Sequence, residues 1–235
     1  MPPPAAVLLD IEGTTTPIRY VHAVLFPYAR ARLTELVRAR AGEPEVAQAL
    51  AEVERLAPGG DPAAALLGWM DADAKVTPLK ALQGILWRDG YRAGELRGEI
   101  YPDVPPCLRR WAAAGVRLFV YSSGSEEAQR LIFGHSSAGD LSGLFGGFFD
   151  TRVGPKREAD SYRAIARAMG LPPGEVLFLS DVDAELDAAA AAGLRVCQLA
   201  RAEDGTAPSM RHPVAAEFEA VAARFGLPGA APIAP

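Results

Sequence analysis

Cysteine is almost absent from this chain: only Cys107 and Cys197 occur, without C-x-x-C spacing and without a neighbouring histidine. That leaves no thiol-based redox or metal motif, and two buried, reduced thiols are expected in place of a lone disulfide. Histidine is as sparse. His22, His135 and His212 are scattered without metal-ligand spacing and are expected to be surface or packing residues. An excess of positive charge is also lacking, the formal net charge being -5. Clustered Lys and Arg would be needed to follow a phosphate backbone, so a nucleic-acid partner is not expected. No long apolar run occurs either. Residues 1–9 are apolar but short, carry three prolines and lack a positive flank, which fits neither a signal peptide nor a membrane span. The expectation is a cytoplasmic monomer with a small-molecule partner and no membrane association.

Lysine is the most telling shortage. Of 24 basic residues only Lys75, Lys80 and Lys156 are lysine, and arginine fills the rest. Either three lysines survived by chance, or they stand where a compact ammonium matters.

What is present is an ordinary globular composition, 49% hydrophobic and 23% charged over 235 residues. This is enough for one large domain, or for a core that carries a smaller insertion. The apolar run before Asp10 reads as a buried parallel strand. From about residue 20 to 100 the spacing turns helical (Val24, Leu25, Ala29, Leu33, Leu36, Val37; then Val46, Leu50, Val53, Leu56), broken at Pro58-Gly59-Gly60 and Pro62. Strands and helices then alternate. Strands are predicted at 116–121, 148–149, 176–180 and 195–199, and helices near 104–114, 125–134, 158–169 and 184–192. Such alternation implies a doubly wound parallel sheet with right-handed crossovers. The predicted organisation is an α/β core over 1–19 and 101–225, an all-helical insertion over 20–100 and a disordered tail over 226–235. No internal repeat is found.

Four polar clusters fall at the predicted strand ends, where open α/β sheets bind ligands. Asp10 and Glu12, ahead of Gly13-Thr14-Thr15, can attack an electrophile, move a proton or hold a hard cation, or can simply end a strand in a polar turn. Ser122-Ser123-Gly124 suits a phosphate cradle or a helix N-cap. Lys156, in Gly154-Pro155-Lys156, can bridge a nucleophilic carboxylate and a phosphate, or be an exposed lysine at a helix start. Asp181 ends a strand as Asp10 does, and the two together suit one cation. Asp183, Glu185 and Asp187 also favour a helix N-terminus, which accounts for Asp183 and Asp187.

The order carboxylate pair, hydroxyl, Lys, Asp, each at a strand end, resembles the haloacid-dehalogenase superfamily of aspartyl phosphotransferases. A response-regulator receiver uses similar groups, but there the lysine follows every acid, and here Asp181 follows Lys156. Asp10-Ile-Glu-Gly-Thr-Thr-Thr-Pro-Ile, Leu25-Phe-Pro-Tyr28, the Lys75 to Gly84 segment, Tyr121-Ser-Ser-Gly-Ser125 and Phe149-Asp-Thr151 are similar to the enolase-phosphatase (acireductone synthase) family of methionine salvage, from about residue 7 to 200.

That resemblance implies a Rossmann-like core with a helical cap. It also implies one magnesium ion and the conversion of 2,3-diketo-5-methylthiopentyl-1-phosphate to the acireductone plus phosphate. Asp10 would be nucleophile and metal ligand, and Glu12 general acid/base with its main-chain carbonyl on the metal. Ser122, Ser123 and Lys156 would hold phosphate, Asp181 would complete the metal site, and Glu185 would orient the metal's water shell. Lys80 and Gln83 would be cap contacts to substrate. Two other readings stand beside it: a phosphatase of the same superfamily for another small phosphomonoester, and a non-catalytic binding module on the same fold.

Overall fold

Ala6, Val7, Leu8 and Leu9 are all wholly buried, as a parallel strand covered on both faces requires. Asp10 and Gly13, the latter at φ +68°, then turn the chain out of the sheet. The computed structural model describes residues 2–229.

In chain order its elements are β1 (Ala6–Leu9), α1 (Ile18–Tyr20), a π-helical turn (Val21–Leu25), α2 (Phe26–Ala39), α3 (Pro44–Leu56), α4 (Pro62–Asp71), α5 (Thr77–Arg92), α6 (Val104–Ala113), β2 (Arg117–Tyr121), α7 (Glu126–Gly134), β3 (Phe145–Phe149), α8 (Ala159–Met169), β4 (Val176–Ser180), α9 (Asp183–Ala191), β5 (Arg195–Leu199), β6 (Val214–Ala215) and α10 (Phe218–Phe225). The chain divides into two compact units, one of Arg19–Arg97 and one formed by the chain on either side of it.

The second of these is the α/β core. Its six strands lie in the order β3-β2-β1-β4-β5-β6, every pairing parallel, which is the doubly wound sheet that the alternation predicts. The winding direction reverses at β1. In register, Leu9 lies opposite Val120 of β2 and Leu179 of β4, so the residues that follow each strand emerge at one edge beside this switch point. One face buries Leu8, Phe119 and Phe178 against Tyr162 and Ile165 of α8 and Leu186 of α9.

Arg19–Arg97 builds its own core. Leu33, Leu36 and Val37 of α2, Val46 and Val53 of α3, Leu66 of α4 and Leu79, Leu82 and Ile85 of α5 form one cluster at helical spacing. Asp61 caps α4, its side chain accepting from the Ala63 amide, with Pro62 in the first turn. Two of the apolar positions read from sequence, Val24 and Leu56, are exposed. Val24 lies in the π-helical turn, which rotates the following face relative to a 3.6-residue repeat, and Leu56 is the last residue of α3.

The carboxyl end of the chain departs from expectation. The sheet does not stop at Leu199, because β6 pairs with β5 and α10 follows it. A two-residue strand carries no periodicity to detect. Nor is the tail disordered where it is described. Gly226 adopts φ +70° at the end of α10, Leu227 is buried, and Trp111 Nε1 donates to the Pro228 carbonyl at 3.2 Å. Gly226 and Pro228 are here a helix stop and an ordered contact, which composition alone does not separate from disorder. Residues 230–235 of that predicted tail lie outside the described residues.

Candidate active site

The Asp10 carboxylate is buried at the end of β1 and fixed from several sides. Its main-chain amide donates to Leu179 O at 2.9 Å, and the Ile11 amide returns to Asp10 Oδ1 at 2.8 Å. The following turn is tight, since the amides of Thr14, Thr15 and Thr16 all point at Ile11 O and Gly13 N donates to Thr16 O.

Lys156 reaches the same carboxylate. Its Nζ lies 2.6 Å from Asp10 Oδ1 and 2.6 Å from Glu185 Oε2, with the side chain about nine-tenths buried. Burial acts to lower this ammonium's pKa, yet the two carboxylates more than offset it and hold the pKa raised to about 12. The loop that carries Lys156 is pinned by three hydroxyls. Tyr121 Oη donates to Gly154 O at 2.8 Å, Ser161 Oγ to Pro155 O at 2.8 Å and Tyr162 Oη to Lys156 O at 2.7 Å. Glycine is required at the start of this loop, because φ at Gly154 is +143° and an added Cβ would stand 2.3 Å from Ser161 Oγ.

Asp181, one residue beyond β4, packs against the turn after Asp10, its Oδ2 only 2.5 Å from where a Cβ on Gly13 would stand. Gly13 is therefore necessary twice, for its positive φ and for this approach. Burial and then the charge of Asp10 raise the Asp181 carboxyl to about 7. A cation would offset the repulsion that Asp10 exerts on Asp181. The donors at hand, Asp10, Asp181 and main-chain carbonyls of the intervening turn, are all oxygen, the set taken by a hard divalent ion. Among the described residues no three His, Cys, Asp or Glu side chains are grouped to hold a metal, so two carboxylates need a main-chain oxygen beside them.

Ser122 is buried, its amide donating to Phe149 O and its Oγ accepting from Gly124 N at 3.3 Å. The N-cap of α7 is Ser125, whose Oγ accepts from Ala128 N, so Ser122 and the half-exposed Ser123 are not the cap. Buried Gln129 braces their loop by donating to both Gly124 O and Phe149 O at 2.8 Å.

The core thus brings Asp10, Lys156, Asp181 and Glu185 together. Glu12 stands in the same turn, half-buried and bridged to Thr16. Lys80, half-buried, and Gln83, buried, are one turn apart on α5 of the helical unit. Sequence reasoning missed Ser180, whose Oγ lies 3.0 Å from Glu185 Oε2 and 3.3 Å from Asp10 Oδ2 and so links the two acids behind Lys156. Its place as the last residue of β4, next to Asp181, was the available signal. Asp183 and Asp187 face away into ion pairs with Arg211, and His212 joins Asp187.

Residues 4–193 match the haloacid dehalogenase-like hydrolase family. Proteins named enolase-phosphatase E1 are similar over nearly the whole chain. That of Gluconacetobacter diazotrophicus is 60% identical, covering 96% of this chain and 96% of its own, and that of Granulibacter bethesdensis is 60% identical, covering 97% and 99%. Among solved structures, the UTR4 protein of Saccharomyces cerevisiae is 34% identical with a TM-score of 0.79, over 92% of this chain and 99% of that one. With its Asp10-bearing turn, buried lysine and second aspartate on one switch-point sheet, the chain belongs to the haloacid dehalogenase-like hydrolases and, within them, to the enolase-phosphatase family.

Proposed function

We propose that this chain is a magnesium-dependent bifunctional enolase-phosphatase. Its substrate is 2,3-diketo-5-methylthiopentyl-1-phosphate, which it converts to 1,2-dihydroxy-3-keto-5-methylthiopentene and phosphate. The observation that carries the proposal is the Lys156 ammonium shared at 2.6 Å by Asp10 and Glu185. Relatives at 60% identity that bear the enolase-phosphatase name support the reaction class.

Asp10 is the nucleophile. One carboxylate oxygen attacks phosphorus and the bond to the substrate oxygen breaks, giving an aspartyl-phosphate. Lys156 offsets the charge that would otherwise keep a phosphate away from a carboxylate. Glu12 protonates the departing oxygen and then takes a proton from the water that frees the phosphate, a role typically worth about 10²- to 10⁴-fold. Ser122 and Ser123 hold phosphate oxygens. Asp10, Asp181 and the Glu12 carbonyl would hold one magnesium ion, which when bound supplies charge neutralisation and Lewis-acid polarisation of the substrate oxygens. For enolisation, Glu12 is the economical base for the proton beside the carbonyl. Glu185 keeps Lys156 charged and aimed, and on this proposal also orients the metal's water shell. The Arg19–Arg97 unit serves as the cap, with Lys80 and Gln83 as substrate contacts.

No helix is long and apolar enough to cross a membrane among the described residues, and both cysteines are buried thiols, in keeping with action in the cytoplasm. The monomeric state we infer is checked by light scattering against the chain mass of 24.8 kDa. Asp10→Asn keeps shape and removes the nucleophile, so phosphate release should vanish while the chain still folds, with Lys156 keeping Glu185 as its partner. More than a tenth of wild-type turnover in that variant would sink the aspartyl-phosphate mechanism.

A further inference from the structure

Outside the strand-end clusters, one buried cation remains unexplained by the chemistry above. Arg201, two residues past β5, is 5% exposed. Its Nη2 donates to the Thr14 carbonyl at 2.9 Å and Nε to the same oxygen at 3.3 Å, while Nη1 meets both oxygens of Asp103 at 3.0 Å. Nη1 also reaches Ala216 O, and the guanidinium lies 4.2 Å from the centroid of the Tyr101 ring. Asp204, three residues later, accepts from the Ile18 amide at 3.3 Å and from the Tyr101 hydroxyl. Tyr101 N closes the circle by donating to Thr15 O at 3.0 Å.

Thr14 and Ile18 lie on the segment leaving the α/β core for the helical unit, and Tyr101 and Asp103 on the segment returning from it. One short loop therefore holds both. Thr14 is also two residues from Glu12, and Glu12 is bridged to Thr16. We propose that Arg201 and Asp204 are positioning residues for the reaction, clamping the 12–18 turn so that Glu12 is held in place to move protons. This rests on the proton-transfer role proposed for Glu12. A fork donating twice to one carbonyl while pairing with a carboxylate is something that arginine does and lysine does not.

The test is a double-mutant cycle on phosphate release from a short-chain analogue of the diketo phosphate in magnesium, with hydrogen exchange of residues 12–18 read alongside. Arg201→Lys should lower kcat about ten- to a hundredfold, as small misplacements of reacting groups do, with KM within twofold and faster exchange in the turn. Asp204→Ala should act in the same direction, and it carries the test should Arg201→Lys not fold. Because both act through Glu12, either change should add almost nothing in a Glu12→Gln background. If the effects multiply in full on Glu12→Gln, or exchange quickens while kcat holds, the clamp has no positioning role. If Glu12→Gln alone keeps wild-type kcat, the role of Glu12 fails, and this inference fails with it.

Discussion

Lys156 shows how much one side chain can be asked to do. A buried ammonium between two carboxylates is stable only as a set, and deleting its charge leaves Asp10 and Glu185 facing each other without compensation. Lys156→Met is therefore expected to cost about 3–5 kcal/mol of stability, the usual scale for breaking a buried ion pair, and to lower kcat by about 10²-fold or more. Chemical denaturation and steady-state kinetics on the same preparation check both. Asp181 gives a pH-dependent expectation whose sign is fixed by its raised carboxyl. Without metal its pKa stands near 7, well above the ordinary carboxylate value, so between about pH 4 and pH 7 the metal-free fold keeps a proton that the unfolded chain has lost, and its stability falls as the pH climbs through that window. Magnesium must displace that proton. Its affinity should rise about tenfold per pH unit up to about 7 and level off above, and calorimetric titration at several pH values would show the slope. A flat affinity from pH 5 to 8 would contradict the assignment of Asp181 as a ligand.

At the scale of elements, legibility followed the length of the signal. β1 and β4 were readable because a buried parallel strand is an unbroken apolar run, and the polar residue that ends the run marks the ligand-binding edge. Asp10 and Asp181 were legible for that reason, whereas Lys156, in the loop beyond β3, was legible from Gly154-Pro155-Lys156 ahead of a helix and from the scarcity of lysine. Ser180 was not, since a serine closing a buried strand looks like any strand end until its hydroxyl is seen between two acids. Arg201 was hidden differently: its partners Thr14 and Asp103 are far away in sequence, and a lone arginine in an arginine-rich chain carries no pattern. The π-helical turn at Val21–Leu25 and the two-residue β6 escaped because neither has a period. The loop at Gly154 offers an elemental test. Gly154→Ala forces a Cβ onto Ser161 Oγ in a strained backbone region and is expected to cost about 3 kcal/mol. The displaced Lys156 should raise KM for phosphate esters. An unchanged melting temperature would mean that the hydroxyl pins at Tyr121, Ser161 and Tyr162 do not fix this loop.

At the scale of the whole molecule, the sheet gathers residues from across the sequence onto one edge, and the α/β core is interrupted by a helical unit with a separate hydrophobic cluster. On the proposed function, the core carries the phosphotransfer groups and the helical unit is the part assigned to the rest of the substrate, a diketo phosphate with an apolar methylthio end. The central claim is that one site enolises this substrate and removes its phosphate. The most direct measurement is a time course on the diketo phosphate, or its short-chain analogue, with and without magnesium, following enol ultraviolet absorbance and free phosphate together. The expected result is an enol signal that precedes phosphate release, with both lost when magnesium is removed. Phosphate appearing without any enol product would leave a plain phosphatase and contradict the account, and silence in both channels would contradict catalysis itself.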